Sequence, residues 1–180
     1  MKLTIFILLA AISAGNLYAQ SIQLPSPQRS GGMPLMEALS KRATGRSFAT
    51  NELSLQQISN LLWAGFGINR PDGRRTAPSA MNFQETDLYV LLRQGAFVYN
   101  AASNRLDQIL TNDIRELGGT QSFVKDAPLT LVFVGDLAKC GNNEGGRNTA
   151  NVDVGHISQA IYLLIINGGG FCNCCRAQGG

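Results

Sequence analysis

The chain has 180 residues, of which 44% are hydrophobic and 15% charged, a balance that fits one globular domain with a buried core. Its formal charge of +3 is small, and apart from Arg74-Arg75 and the stretch 41–48 the basic residues are dispersed. A nucleic-acid partner therefore has no electrostatic footprint.

Met1-Lys2, an apolar run over residues 3–14 and the small-residue ending Gly15-Asn16-Leu17-Tyr18-Ala19 predict a signal peptide over 1–19, cut after Ala19. The apolar run falls short of the roughly 20 residues of a membrane span. The expectation is an exported, periplasmic protein with no membrane contact after cleavage. Residues 20–33 carry Pro25, Pro27, Ser30, Gly31 and Gly32 among few apolar side chains, which predicts a flexible leader. The domain proper is expected over 34–167, followed by a Gly- and Cys-rich tail over 168–180.

Pro34 suits the first turn of a short helix with an apolar stripe of Leu35, Met36 and Leu39. That helix delivers the chain to Lys41-Arg42-Ala43-Thr44-Gly45-Arg46-Ser47-Phe48, which admits two readings. The guanidinium groups, the Thr44 hydroxyl and the close backbone approach allowed by Gly45 suit an anion. Equally, cations at a helix C-terminus are favoured by its dipole with no ligand present.

Ser54-Leu55-Gln56-Gln57 matches a capping box, and Ile58, Leu61, Leu62 and Phe66 follow at helical spacing up to Gly67. Trp63 falls off that face and is assigned to packing. Asn69-Arg70-Pro71-Asp72-Gly73 is turn chemistry. The run Ala77-Pro78-Ser79-Ala80-Met81-Asn82-Phe83-Gln84 then places hydroxyl and amide groups on one loop, a set that offers both donors and acceptors to a heterocycle.

Residues 86–92 and 96–99 about the turn Gln94-Gly95, then 106–110, predict a hairpin or meander. Residues 112–117 suggest a short helix. The near-continuous apolar run over 128–134 predicts a strand buried on both faces at the centre of the sheet. A Gly- and Asn-rich loop over 140–148 precedes a helix over 152–166, apolar almost all round and so expected to be buried on most sides, either in a core or against another subunit. His156 on it is assigned a structural role. Cys140 stands alone and Cys172, Cys174 and Cys175 lack a second spaced pair, so neither a disulfide framework nor a metal site is expected.

Taken in order, the 41–48 stretch, the 77–84 loop and Asp153-x-Gly-x-x-Ser-Gln159 resemble the FMN-dependent nitroreductase family, in particular its exported bacterial branch related to thiazoline oxidases. The resemblance covers about 34–166. It implies an α+β fold with a mixed, mainly antiparallel sheet flanked by helices, and a long apolar helix at the core of a homodimer. It also implies that Arg42, Thr44 and Arg46 hold the FMN phosphate and ribityl chain, with Ala43 contributing backbone. Pro78, Ser79, Ala80 through its backbone, and Asn82 would meet the flavin of the other subunit. The implied activity passes electrons from NAD(P)H to a small oxidised acceptor, such as a nitroaromatic or quinone, by a ping-pong cycle. The flavin carries the chemistry, so no catalytic acid, base or nucleophile is assigned to the protein.

One departure bears on that activity. The family continues past its long helix with a Glu-Gly turn, a further strand and a basic residue, whereas this chain runs Asn167-Gly168-Gly169-Gly170-Phe171-Cys172-Asn173-Cys174-Cys175 and soon stops. Skipping one nucleotide in a permitted coding of 171–175 yields Phe-Ala-Thr-Val, an ordinary strand. A frameshift is the expectation, and the alternative to an active enzyme is an inactive truncated remnant, or a flavin-binding, dimerising module without turnover.

Overall fold

Strand formation in this chain follows alternation about tight turns. In a computed structural model that describes residues 20–49 and 51–167, strands β2 (Thr86–Leu92), β3 (Gly95–Asn100) and β4 (Arg105–Leu110) form an antiparallel meander, as the alternation predicts. Gly95 sits at φ +140, and a Cβ there would lie 2.1 Å from the Leu110 carbonyl oxygen, so the first turn requires glycine. The sheet is completed by β1 (Ser21–Gln23) against β4 and by β5 (Thr130–Gly135) against β2, giving the order β1-β4-β3-β2-β5 with every pairing antiparallel.

Two strands depart from the sequence expectation. Residues 21–23 lie in the segment expected to be a flexible leader, yet they pair with β4, and Leu24 behind them is 3% exposed. Backbone ladder bonds do not depend on side-chain pattern, and the Pro25 carbonyl is fixed by the Ser59 hydroxyl at 2.5 Å and the Asn104 amide at 2.8 Å. β5 was expected at the centre and is instead an edge strand of the described sheet. Its Leu131 and Phe133 face the core while Val134 is exposed. An apolar run reports burial of the faces and is silent about neighbours in the ladder.

Helix α1 (Leu35–Lys41) forms where expected, but inverted: Ala38 is its buried residue, while Leu35, Met36 and Leu39 are exposed. Helix α2 (Leu55–Phe66) has the capping box in full, with the Ser54 hydroxyl accepting from the Gln57 N–H and the Gln57 side chain accepting from the Ser54 N–H. Trp63 packs as assigned, with the Arg29 guanidinium 5.1 Å over its ring. In place of the helix expected over 112–117, the chain makes two 3-10 turns, Arg115–Gly118 and Ser122–Asp126.

After a single-turn helix α3 (Leu137–Cys140), helix α4 (Glu144–Asn167) starts eight residues earlier than the pattern suggests. The Asn143 side chain caps it by accepting from the Gly146 N–H at 3.0 Å. Only one face of α4 is buried, through Ala150, Asp153, Val154, Ile157, Ile161 and Ile165, and His156 is exposed rather than structural. That face meets α2 at Gly65, where a Cβ would lie 2.6 Å from Ile161 Cγ1. The two helices cover one side of the sheet over a core that includes Leu62, Leu88, Val90, Phe97, Leu106 and Phe133. No helix of the described residues is long and apolar enough to cross a membrane. The expected signal peptide, the tail over 168–180 and its three cysteines lie outside the described residues.

Candidate functional site

The 41–48 stretch leaves α1 in extended conformation, with Arg42, Ala43, Thr44 and Arg46 all exposed. Lys41 is spent on an ion pair with Glu37 at 2.5 Å, one turn back on α1. By contrast, the side chains of Arg42, Thr44 and Arg46 have no hydrogen-bond or ion-pair partner among the described residues. Arg46 lines a cavity of about 640 Å³ together with Phe48, Arg93, Arg115, Lys125 and Asp126. The wall of that cavity is pinned by Arg115, 7% exposed, which donates to the Ala127 carbonyl at 2.6 Å and pairs with Asp113 at 2.7 Å.

The 78–84 loop stands elsewhere and is held under strain. Met81, Asn82 and Gln84 have φ of 51°, 57° and 47°, a left-handed backbone that costs an ordinary residue about 1–2 kcal/mol. Two buried carboxylates hold it there. Asp153 of α4, 4% exposed, accepts from the Ala80 N–H at 2.9 Å. Glu85, fully buried at the entrance to β2, accepts from the Ser79 hydroxyl at 3.3 Å and from Thr86 at 3.2 Å. The Ser79 oxygen in turn accepts from the Gln84 N–H at 2.9 Å.

This network decides what the loop can offer outward. The Ala80 N–H is committed to Asp153, and its carbonyl accepts from Phe83. The Ser79 hydroxyl donates its hydrogen bond to Glu85 and keeps acceptor capacity only. Asn82 is exposed and accepts from Gln84 Nε2 at 3.1 Å through Oδ1, which leaves its own amide N–H groups to donate. Pro78, Ser79 and Asn82 line a second cavity of about 380 Å³ with Arg70, Arg74, Arg75 and Gln84.

The sequence-predicted residues thus fall into two groups that share no cavity: of the first, Arg46 lines the larger one, and of the second, Pro78, Ser79 and Asn82 line the smaller one. Glu85 and Asp153, which set the loop, were not singled out as site residues. Asp153 opens the run Asp153-x-Gly-x-x-Ser-Gln159, and the one sequence signal for Glu85 is a carboxylate set against the apolar strand that follows. Nearby, the half-buried Cys140 thiol is pushed above its usual range by burial and by the negative charge of Glu85, Asp136 and Asp153.

An antiparallel sheet with helices packed on it, and a strained loop carrying amide donors between α2 and β2, define the class first: an α+β protein of nitroreductase-like fold. The nitroreductase family model matches residues 39–167, and the chain belongs to that family. A protein of Methanocaldococcus jannaschii assigned as a nitroreductase is 27% identical over 155 residues, 79% of this chain and 77% of its own length. A crystal structure of a protein of Ralstonia eutropha JMP134, also assigned as a nitroreductase, superposes with a TM-score of 0.77 at 36% identity over 83% of this chain and 72% of that one. Another from Anabaena variabilis superposes at 0.68 and 21% identity, over 86% of this chain and 37% of that one, and shows the fold alone. Membership in the family points to oxidoreductase activity.

Proposed function

We propose that the protein is an FMN-dependent oxidoreductase that takes electrons from NAD(P)H and passes them to a small oxidised acceptor, nitroaromatic or quinone in type. The observation that carries this reading is the state of the two segments assigned to the flavin. Both are presented at the surface with donors unspent, the guanidinium groups of Arg42 and Arg46 on one side and the Asn82 amide on the other. Donors of this kind fit a phosphate at the first segment and a heterocycle carbonyl at the second.

Bound FMN would supply the two-electron carrier that donor and acceptor address in turn, which makes the cycle ping-pong. The residues named here bind and orient. Arg42, Arg46 and the Thr44 hydroxyl hold the phosphate and ribityl end. Asn82 donates to the ring edge, and Ser79 offers it an acceptor.

Because Arg46 and the loop residues Ser79 and Asn82 line separate cavities, one complete site would need two chains, and a homodimer is part of the proposal. Leu35, Met36, Met81 and Val152, which are 61%, 76%, 86% and 59% exposed, supply apolar surface for it. Export to the periplasm follows from the N-terminal pattern and belongs to the same proposal.

The test is a visible spectrum of the purified protein with FMN, followed by NADPH without oxygen. A bound flavin spectrum that bleaches supports the reading, and a protein that leaves FMN free in solution refutes it. Bound flavin that NADPH and NADH both leave oxidised would favour a flavin-binding, dimerising module without turnover. Arg46→Gln should weaken FMN more than riboflavin, since only FMN carries the phosphate.

A further inference from the structure

The second cavity holds a cluster that the flavin reading does not use. Residues 69–75 form a tight turn closed by the bridge between Ile68 and Arg75, with Asn69 N–H donating to the Arg74 carbonyl and Gly73 N–H to the Arg70 carbonyl. The turn carries Arg70, Arg74 and Arg75 against one carboxylate, Asp72. It is tied to the strained loop through Gln84 Nε2, which donates to the Gly73 carbonyl at 3.4 Å. Arg70, Arg74 and Arg75 therefore line the same cavity as Ser79 and Asn82.

Each arginine is positioned, and their charge is poorly compensated. Arg70 braces the turn by donating to the Arg75 carbonyl at 2.6 Å. Arg75 lies 3.8 Å over the Phe66 ring and donates to the Phe66 carbonyl at 3.0 Å, while its Nε is buried with no partner. No carboxylate lies within ion-pairing distance of Arg75 among the described residues, and burial lowers its pKa, so an incoming anion would offset a standing cost. Arg74 meets Asp72 only at 3.5 Å with both side chains more than half exposed, a pair that a better anion can displace.

We infer that this cavity is an anion subsite for the phosphate-bearing part of a nucleotide, with Arg74 and Arg75 as its grip and Arg70 as a brace. The inference rests on the proposed function in taking that nucleotide to be the nicotinamide donor, brought beside the loop that meets the flavin. A phosphate fits better than a neutral acceptor because guanidinium forks match its geometry and the turn bears a net positive charge.

Trp63, the single tryptophan of the chain, is the reporter, since its indole N–H donates to the Ile68 carbonyl at the start of the turn. Its fluorescence is titrated with NADP⁺, 2′,5′-ADP, inorganic phosphate, FMN and riboflavin, in the wild type and in Arg74→Glu and Asp72→Asn. Both are exposed positions, which spares the fold. NADP⁺ and 2′,5′-ADP should bind, Arg74→Glu should weaken both by at least about ten-fold, and Asp72→Asn should tighten both, each effect shrinking as salt rises.

NADP⁺ affinity that is indifferent to both substitutions overturns the inference. So does an Arg74→Glu protein that loses FMN but not riboflavin while NADP⁺ binds as before, because the cavity would then take the flavin's own phosphate. If FMN fails to bind at all and nucleotide binding still depends on Arg74, the flavin reading falls and the anion subsite stands.

Discussion

Replacing Asp153 by alanine removes the acceptor that holds the Ala80 N–H at 2.9 Å. A hydrogen bond to a charged group contributes about 1.5–3 kcal/mol, and Ala80 is exposed, so water partly replaces the lost acceptor. The expected loss is about 2 kcal/mol, or a fall in Tm of roughly 4–8 °C for a domain of this size. The same change should loosen the loop locally. Hydrogen exchange at the Ala80 amide should quicken by about thirty-fold, the factor equivalent to 2 kcal/mol, and FMN should bind more weakly because Asn82 is no longer held in place. Asp153→Asn, which keeps an acceptor oxygen but no charge, should fall between the wild type and the alanine variant. The reasoning fails if Asp153→Ala lowers Tm while exchange at Ala80 is unchanged, for Asp153 would then act through helix packing and not through the loop.

Three further outcomes follow from other parts of the molecule. Gly65→Ala would place a Cβ 2.6 Å from Ile161 Cγ1 and 3.1 Å from Ile157 Cγ2, so it should cost about 1–3 kcal/mol in chemical denaturation despite the better helix propensity of alanine. Met81→Gly relieves a left-handed φ of 51° at a side chain that is 86% exposed, and should raise the stability of the protein at low concentration by about 0.5–1 kcal/mol. Asp113 is held at about 2 against an ordinary 3.8, chiefly by hydrogen bonds from Arg115. Its contribution is therefore full above pH 4 and is lost as pH falls toward 2. With the carboxylate 39% exposed, screening keeps that contribution small. In Asp113→Asn the stability profile should flatten across that window and remain parallel to the wild type above it.

How much of this fold is legible in the sequence depends on which interactions carry each element. Helix α2 has its start written in Ser54 and Gln57 and its buried face in Ile58, Leu61, Leu62 and Phe66. The β2-β3-β4 meander is equally plain, since alternation about Gly95 fixes both strands and register. Helix α4 conceals its beginning because Gly145-Gly146 reads as loop. Yet a Cβ at Gly146 would lie 1.8 Å from the Gly141 carbonyl oxygen, so that glycine is what lets the first turn pack. β1 and the edge position of β5 are pairing facts, carried by backbone groups that every residue shares. α1 misleads in a different way: its large apolar residues mark surface, and its buried residue is the small Ala38.

The site divides along the same line. Arg42, Arg46 and Asn82 present their donors outward, where a sequence pattern can propose them for a ligand, whereas Ser79, Glu85 and Asp153 turn their polar groups inward, Glu85 to the Ser79 hydroxyl and Asp153 to the Ala80 N–H 73 residues away. No local pattern reveals a carboxylate whose task is to hold three left-handed residues in place. Its position has a further consequence. Asp153 is adjacent on α4 to the exposed Val152, and α1 packs against the same helix. In the homodimer proposed above, the partner would press on the helix that sets the loop. Dimerisation and the placing of Asn82 would then be one equilibrium. A Val152→Asp substitution that blocks association should accordingly release the Ala80 amide to exchange, although it removes no contact made by the loop itself. Monomeric protein with an Ala80 amide as protected as in the wild type would show that the two are independent.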